Sequence, residues 1–146
     1  MKITIIGGGY VGLVTAACFA DSGNTVNLVE VDPVKVRTIN EKRAPIFEPG
    51  LEDILMRTTG KNLRATLSYD SVSTSALTFI CVGTPPNEDG STNLTYIESA
   101  SRSIGTALQN TSRYHVVVVK STVPPGTTDK VVRPAVLASS HTTEDR

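Results

Sequence analysis

The feature that most restricts the fold is Gly7-Gly-Gly-Tyr-Val-Gly12, which follows at once on a short β-branched run, Lys2-Ile-Thr-Ile-Ile6. Beyond it, apolar residues recur at helical spacing from Tyr10 to Asp21 (Val11, Val14, Cys18 and Leu13, Ala17), and Gly23 supplies a stop. The chain therefore opens as strand, glycine turn, helix, with Gly7, Gly9 and Gly12 in the spacing G-x-G-x-x-G. In that arrangement Gly7 makes the tight turn, Gly9 lets the backbone approach a pyrophosphate, and Gly12 lets the helix pack closely on the sheet. The unpaired N–H groups at the helix N-terminus then face the phosphates. A glycine turn alone binds nothing in many proteins; the strand before it and the helix after it give this one its meaning.

The remaining chain continues the alternation. Thr25 to Glu30 reads as a second strand, and Pro33 suits the first turn of a helix carrying Val36 and Ile39. A loop from Lys42 to Gly50 leads to a short helix, Leu51 to Arg57. Leu63 to Leu67 is a third strand, and Asp70 to Ala76 is expected to be helical by position, against its serines and threonine. Leu77 to Val82 reads as a buried strand, Gly83 to Asn93 as a polar loop, and Thr95 to about Leu108 as a helix. His115 to Val119 is a fifth strand, followed by a helix from Thr127 to Ala138. This pattern predicts an α/β fold of Rossmann type, a doubly wound, mainly parallel sheet with helices on both faces. The domain is expected to span residues 1–138, with 139–146 a tail or linker.

Composition narrows the partners. The 146 residues contain 14 basic and 14 acidic side chains, so no charge excess points to nucleic acid or an anionic membrane. No apolar run approaches the roughly 20 residues of a membrane span, and Ile3 to Ile6 is too short for a signal peptide. Cys18 and Cys81 lack metal-ligand spacing and sit in apolar runs, so both are expected to be buried core thiols in a reducing cytoplasm.

In a doubly wound sheet ligands bind at the C-terminal strand ends. Glu30 ends the second strand at the distance expected for a carboxylate that accepts from the adenosine ribose hydroxyls and repels a 2′-phosphate, favouring NAD over NADP. Asp32 lies two residues on and competes for that role, although it also precedes Pro33 as a helix cap would. Lys35 and Arg37 are within reach of the ribose edge or simply solvated. Thr84 follows the fourth strand and offers a hydroxyl where a cofactor would pass. Lys120, Ser121 and Thr122 end the fifth strand; position alone does not separate ligand contacts from strand punctuation.

Taken together, the motifs resemble the UDP-glucose/GDP-mannose dehydrogenase family. They are Ile6-Gly-Gly-Gly-Tyr-Val-Gly-Leu13, Val29-Glu-Val-Asp-Pro-Val-Lys35, Pro45-Ile-Phe-Glu-Pro-Gly-Leu51, Val82-Gly-Thr-Pro-Pro-Asn-Glu-Asp-Gly90 and Lys120-Ser-Thr-Val-Pro-Pro-Gly126. The resemblance implies oxidation of the C6 hydroxymethyl of a nucleotide sugar to a carboxylate with two NAD, through a thiohemiacetal on a catalytic cysteine. It implies that Gly7, Gly9, Tyr10, Val11 and Gly12 hold the pyrophosphate, that Glu30 and Lys35 hold the adenosine ribose, and that Thr84 meets the middle of the cofactor. Ser121 and Thr122 would lie near the nicotinamide, with Thr122 helping to position a catalytic water. Glu30 stands where many relatives carry Asp.

The resemblance also implies a Pro-Glu-Phe-Leu segment with a catalytic glutamate, a nucleophilic cysteine and a substrate domain, none of which this sequence carries. The chain is thus expected to be the N-terminal NAD-binding domain of a longer, homodimeric enzyme, binding its nucleotide-sugar substrate through other domains and catalysing nothing alone. No metal is expected. Two competing readings are a stand-alone nucleotide-sensing Rossmann module, which has no need of hydroxyls at a nicotinamide end, and a dehydrogenase of small 3-hydroxy acids, which lacks the Pro45 to Leu51 motif.

Overall fold

Strand β1 (Lys2–Ile6) buries every residue after Lys2, because both faces of this central strand are covered. It pairs in parallel with β2 (Thr25–Val29) on one side and β4 (Leu77–Ile80) on the other. Strand β3 (Leu63–Thr66) pairs with β2, and β5 (Val116–Val119) with β4, giving an all-parallel sheet in the order β3-β2-β1-β4-β5. The strand order reverses at β1, so the switch point lies between β1 and β4, directly above the glycine turn. The computed structural model describes residues 1–141.

Helices α1 (Tyr10–Asp21), α2 (Pro33–Asn40) and α3 (Leu51–Thr58) cover one face through a core of Ile3, Ile5, Leu13, Val26, Leu28, Ile39 and Leu55. Helices α4 (Thr95–Leu108) and α5 (Arg133–Ser140) cover the other, packing on Ile6, Val29 and Ile80. Alternate residues of the inner strands β1, β2 and β4 thus feed two separate cores, as the expected doubly wound sheet requires, while β3 contributes to the first core and β5 to the second. No helix among the described residues is long and apolar enough to cross a membrane.

Three expectations change. Asp70 to Ala76 is not an α-helix but a 3₁₀ turn, Asp70–Thr74. Its hydroxyls have better work: Ser71 and Ser75 bond the hydroxyl of Thr4, which is completely buried in β1, at 3.1 and 2.7 Å. Cys18 is exposed, not buried. Helix α1 carries two apolar stripes, and the sheet and α3 bury the one through Leu13, Ala16, Ala17 and Ala20, leaving Val11 and Cys18 outward. The last helix enters through a π-helical turn, Thr128–Val132, and α5 runs on through Ser139 and Ser140, residues expected in the tail. The Ser139 carbonyl accepts from the Gln109 side chain at 2.9 Å, which ties that end to α4. The rest of the expected tail, 142–146, lies outside the described residues.

Candidate functional site

The glycine turn is built by close contacts that no other residue allows. Gly7 adopts φ +102°, and a Cβ there would sit 2.7 Å from the Cys81 carbonyl oxygen on β4's extension. A Cβ at Gly12 would lie 1.8 Å from the Gly7 carbonyl oxygen, so α1 can start this close to β1 only without a side chain. Gly9, the N-cap of α1, is different: a Cβ there would meet nothing within 4 Å. Its bareness keeps space open in front of the helix. It also offers no side-chain cap, so the first-turn N–H groups are left for something else to satisfy.

That space continues into a cleft of about 390 Å³ lined by Gly7, Gly8, Gly9, Glu30, Lys35, Tyr69, Val82, Tyr96 and Ala100, among others. The Glu30 side chain is buried and folded back over the turn. One carboxylate oxygen, Oε2, accepts from the Gly8 N–H at 2.8 Å; the other, Oε1, accepts from Val31 and Asp32 N–H at 2.7 and 3.0 Å. A carboxylate has about four acceptor positions. Three are used internally, which leaves one on Oε2 for a hydroxyl. Asp32 is settled differently: it caps α2, accepting from Val34 and Lys35 N–H at 2.8 and 3.4 Å. Lys35 lines the cleft, whereas Arg37 does not.

Thr84, Ser121 and Thr122, in the loops after β4 and β5, form a second group outside the lining of that cleft. Ser121 donates its hydroxyl to the Val82 carbonyl at 2.7 Å, and Thr84 donates to the Thr122 carbonyl at 2.8 Å. The two strand-end loops are clasped to each other by these reciprocal bonds. The Ser121 and Thr84 hydroxyls therefore serve first as ties, while the exposed Thr122 side chain makes no such bond to the opposite loop. Cys81 lines the cleft but its thiol is pushed up to about 11 by burial, only partly offset by the positive charge of Lys120. It is protonated and inert near neutral pH.

Sequence reasoning missed Gly8, Tyr69 and Tyr96. Gly8 is dictated by Glu30: a Cβ there would lie 2.8 Å from Oε2. Tyr69 is half-buried beyond β3, with its phenol pushed up by burial, and Tyr96 stands on the first turn of α4. Tyr69 follows the end of β3, the position that singles out the other candidates, whereas Tyr96 lies beyond the long loop after β4, where that signal does not apply. Among the described residues no cluster of His, Cys, Asp or Glu could hold a metal ion.

A parallel sheet with a glycine cradle at its switch point, an open helix N-terminus and a carboxylate at the end of β2 defines a dinucleotide-binding Rossmann domain. The family model described as UDP-glucose/GDP-mannose dehydrogenase family, NAD binding domain, matches residues 1–145, and the chain belongs to that family. Its cofactor is NAD. Among curated relatives, the UDP-glucose 6-dehydrogenase of Haloferax volcanii is 42% identical over 140 residues, 96% of this chain and 33% of that protein. The GDP-mannose 6-dehydrogenase of Pseudomonas aeruginosa is 45% identical over 138 residues, 93% and 32% respectively. A ternary complex of GDP-mannose dehydrogenase from Pseudomonas aeruginosa superposes with a TM-score of 0.95 at 42% identity, over 98% of this chain and 33% of that one. The chain spans about a third of the length of these relatives. A lactate dehydrogenase from Eimeria maxima, at 16% identity and a TM-score of 0.66, shares the fold alone.

Proposed function

We propose that the chain is the cofactor-binding part of a nucleotide-sugar 6-dehydrogenase, in which the folded unit that runs from β1 to the end of α5 at Ser140 holds NAD. The observation that carries this reading is the cradle itself: open space at Gly9 beside uncapped N–H groups, with a single free acceptor on Glu30 at its edge. In this reading Gly7, Gly9 and Gly12 shape the turn, and the N–H groups of Tyr10, Val11 and Gly12 bind the pyrophosphate. Glu30 accepts a hydrogen bond from an adenosine ribose hydroxyl through Oε2, and Lys35 flanks that sugar. Thr84 and Ser121 hold the β4 and β5 loops together under the middle and nicotinamide end of the cofactor, where Thr122 orients a water. Bound NAD supplies the hydride acceptor. The C6 alcohol of a nucleotide sugar is oxidised to a carboxylate with two NAD, in a cytoplasmic homodimer whose other domains bind the sugar and carry the nucleophile. The chain by itself binds NAD and leaves the sugar unchanged.

Titration of the chain with NAD and NADP tests the reading. Two charges about 4 Å apart interact by about 1–4 kcal/mol between bulk water and a protein surface. A 2′-phosphate beside Glu30 is therefore expected to weaken NADP by at least roughly fivefold relative to NAD. Glu30→Ala is expected to abolish that preference. Absence of NAD binding at millimolar cofactor refutes the reading, and equal affinities for NAD and NADP refute the role of Glu30.

A further inference from the structure

Strand register lines up four residues across the C-terminal edge of the sheet. Ile6 pairs with Val29 and with Ile80, and Ile80 with Val119, so the residues one step beyond them form a row: Glu30, Gly7, Cys81, Lys120. Side chains in one row of a parallel sheet share a face. Ile5, Val26, Leu28, Leu77 and Phe79 sit in the α1-side core, whereas Val117 and Val119 pack on the opposite side, which sends Lys120 to the α1 face. The row carries an acid at the β2 end and a base at the β5 end, with the glycine turn and the α1 N-terminus between them. Glu30 and Lys120 are three strand spacings apart, about 14 Å. The two ends differ in how their charge is met. Glu30 is bonded by three N–H groups with Lys35 alongside. Lys120 is exposed, its backbone N–H bonds Ile80, and its ammonium forms none of the ion pairs found among the described residues. In the row Lys120 stands next to Cys81, which lines the cleft.

We propose that Lys120 discriminates between the two redox forms of the cofactor, disfavouring the cationic nicotinamide of NAD⁺ and so favouring NADH. The inference rests on the cofactor-domain reading, with the nicotinamide at the β5 end beside Ser121 and Thr122. NAD⁺ and NADH share their pyrophosphate and sugars and differ at the ring, which carries a positive charge only when oxidised. Attraction of Lys120 for the phosphates is common to both forms and cancels in the ratio of their affinities. Repulsion of the ring acts on NAD⁺ alone. For two charges about 6–8 Å apart, with a side chain as exposed as Lys120 and an effective dielectric between the protein-surface and bulk-water values, that repulsion corresponds to a roughly three- to tenfold bias. Lys120 acts here as a specificity residue that makes the bound ring a better hydride acceptor, without forming a bond to it.

The test is the ratio of dissociation constants for NAD⁺ and NADH, measured on the chain and on Lys120→Met, Lys120→Arg and Lys120→Glu, with ADP-ribose as a ligand that lacks the ring. Lys120→Met is expected to shift the ratio three- to tenfold toward NAD⁺, and Lys120→Glu further. Lys120→Arg, which keeps the charge, is expected to restore the wild-type ratio. Equal loss of affinity for NAD⁺, NADH and ADP-ribose in Lys120→Met would show a phosphate contact and overturn the proposal. An unchanged ratio, with binding intact, overturns it as well. A wild-type chain that binds none of the three ligands overturns the cofactor-domain reading, and the proposal with it.

Discussion

Gly12 and Gly9 carry the same residue type for opposite reasons, and substituting each by alanine separates folding from binding. At Gly12 the new Cβ would lie 1.8 Å from the Gly7 oxygen, 3.0 Å from the Gly7 carbonyl carbon and 3.1 Å from the Cys81 Cβ. That is roughly 1.5 Å short of ordinary contact, and the obstacle is backbone. The Gly7 peptide cannot retreat easily. Its N–H bonds the Val29 carbonyl at 2.8 Å and its far side is already against Cys81. Helix α1 must therefore move away from the sheet, opening the core at Leu13 and Ala16. Overpacking that a core cannot absorb by side-chain rotation costs about 3 kcal/mol or more. In a chain of this size such a loss lowers Tm by roughly 6–12 °C. At Gly9 a Cβ meets nothing and the backbone is at φ −78°, so Gly9→Ala is expected to melt within about 2 °C of wild type. Its methyl group would stand in the space assigned to the pyrophosphate, so NAD affinity is expected to fall at least about tenfold. Thermal melts followed by circular dichroism, paired with NAD titrations, check both. A Gly12→Ala chain that melts within 2 °C of wild type and binds NAD normally would refute the packing argument.

Two further perturbations follow from the hydrogen bonds. His115 is half-buried between Thr78 and Ser75; its Nδ1–H donates to the Ser75 carbonyl at 3.1 Å and its Nε2 lies 3.0 Å from the Thr78 hydroxyl. Burial holds the imidazole below its usual pKa, so the unfolded chain takes up the proton first. Stability is then fully present above the unfolded value of about 6.5 and is lost as pH falls below it. Urea unfolding at pH 7.5 and 5.5 is expected to show a larger loss in wild type than in His115→Asn, and equal losses would contradict the assignment. Ser121→Ala removes the bond to the Val82 carbonyl, at an expected cost of about 1 kcal/mol in urea unfolding. The same substitution is expected to weaken NAD more than ADP-ribose in the proposed binding mode, which puts the clasp under the nicotinamide end; equal weakening would contradict that mode.

Much of the architecture is written in local pattern. The span of α1 from Tyr10 to Asp21, the Asp32 cap ahead of Pro33 and the five strands all follow from periodicity and punctuation that neighbouring residues enforce. The misread segments are those where a distant partner outweighs local preference. The serines of 70–76 leave the helix pattern because Thr4, some 70 positions away in sequence, needs a hydroxyl in a dry core. Cys18 looks like Ala17 in sequence; only the placement of α3 against α1 decides which stripe is buried.

The same division runs through the site. Gly7, Gly9, Gly12 and Glu30 could be named from spacing because the turn and the strand end bring them together within a single βαβ unit. Spacing could not say that Glu30 spends three of its acceptor positions on the backbone, that Gly8 is bare to make room for it, or that Ser121 and Thr84 tie two loops together. Nor could it place Lys120 in one row with Glu30, since that depends on the register of four strands. Local chemistry determines which segments fold and which residues can bind a dinucleotide. Long-range pairing in the sheet decides which of their charges and hydroxyls remain free to do so.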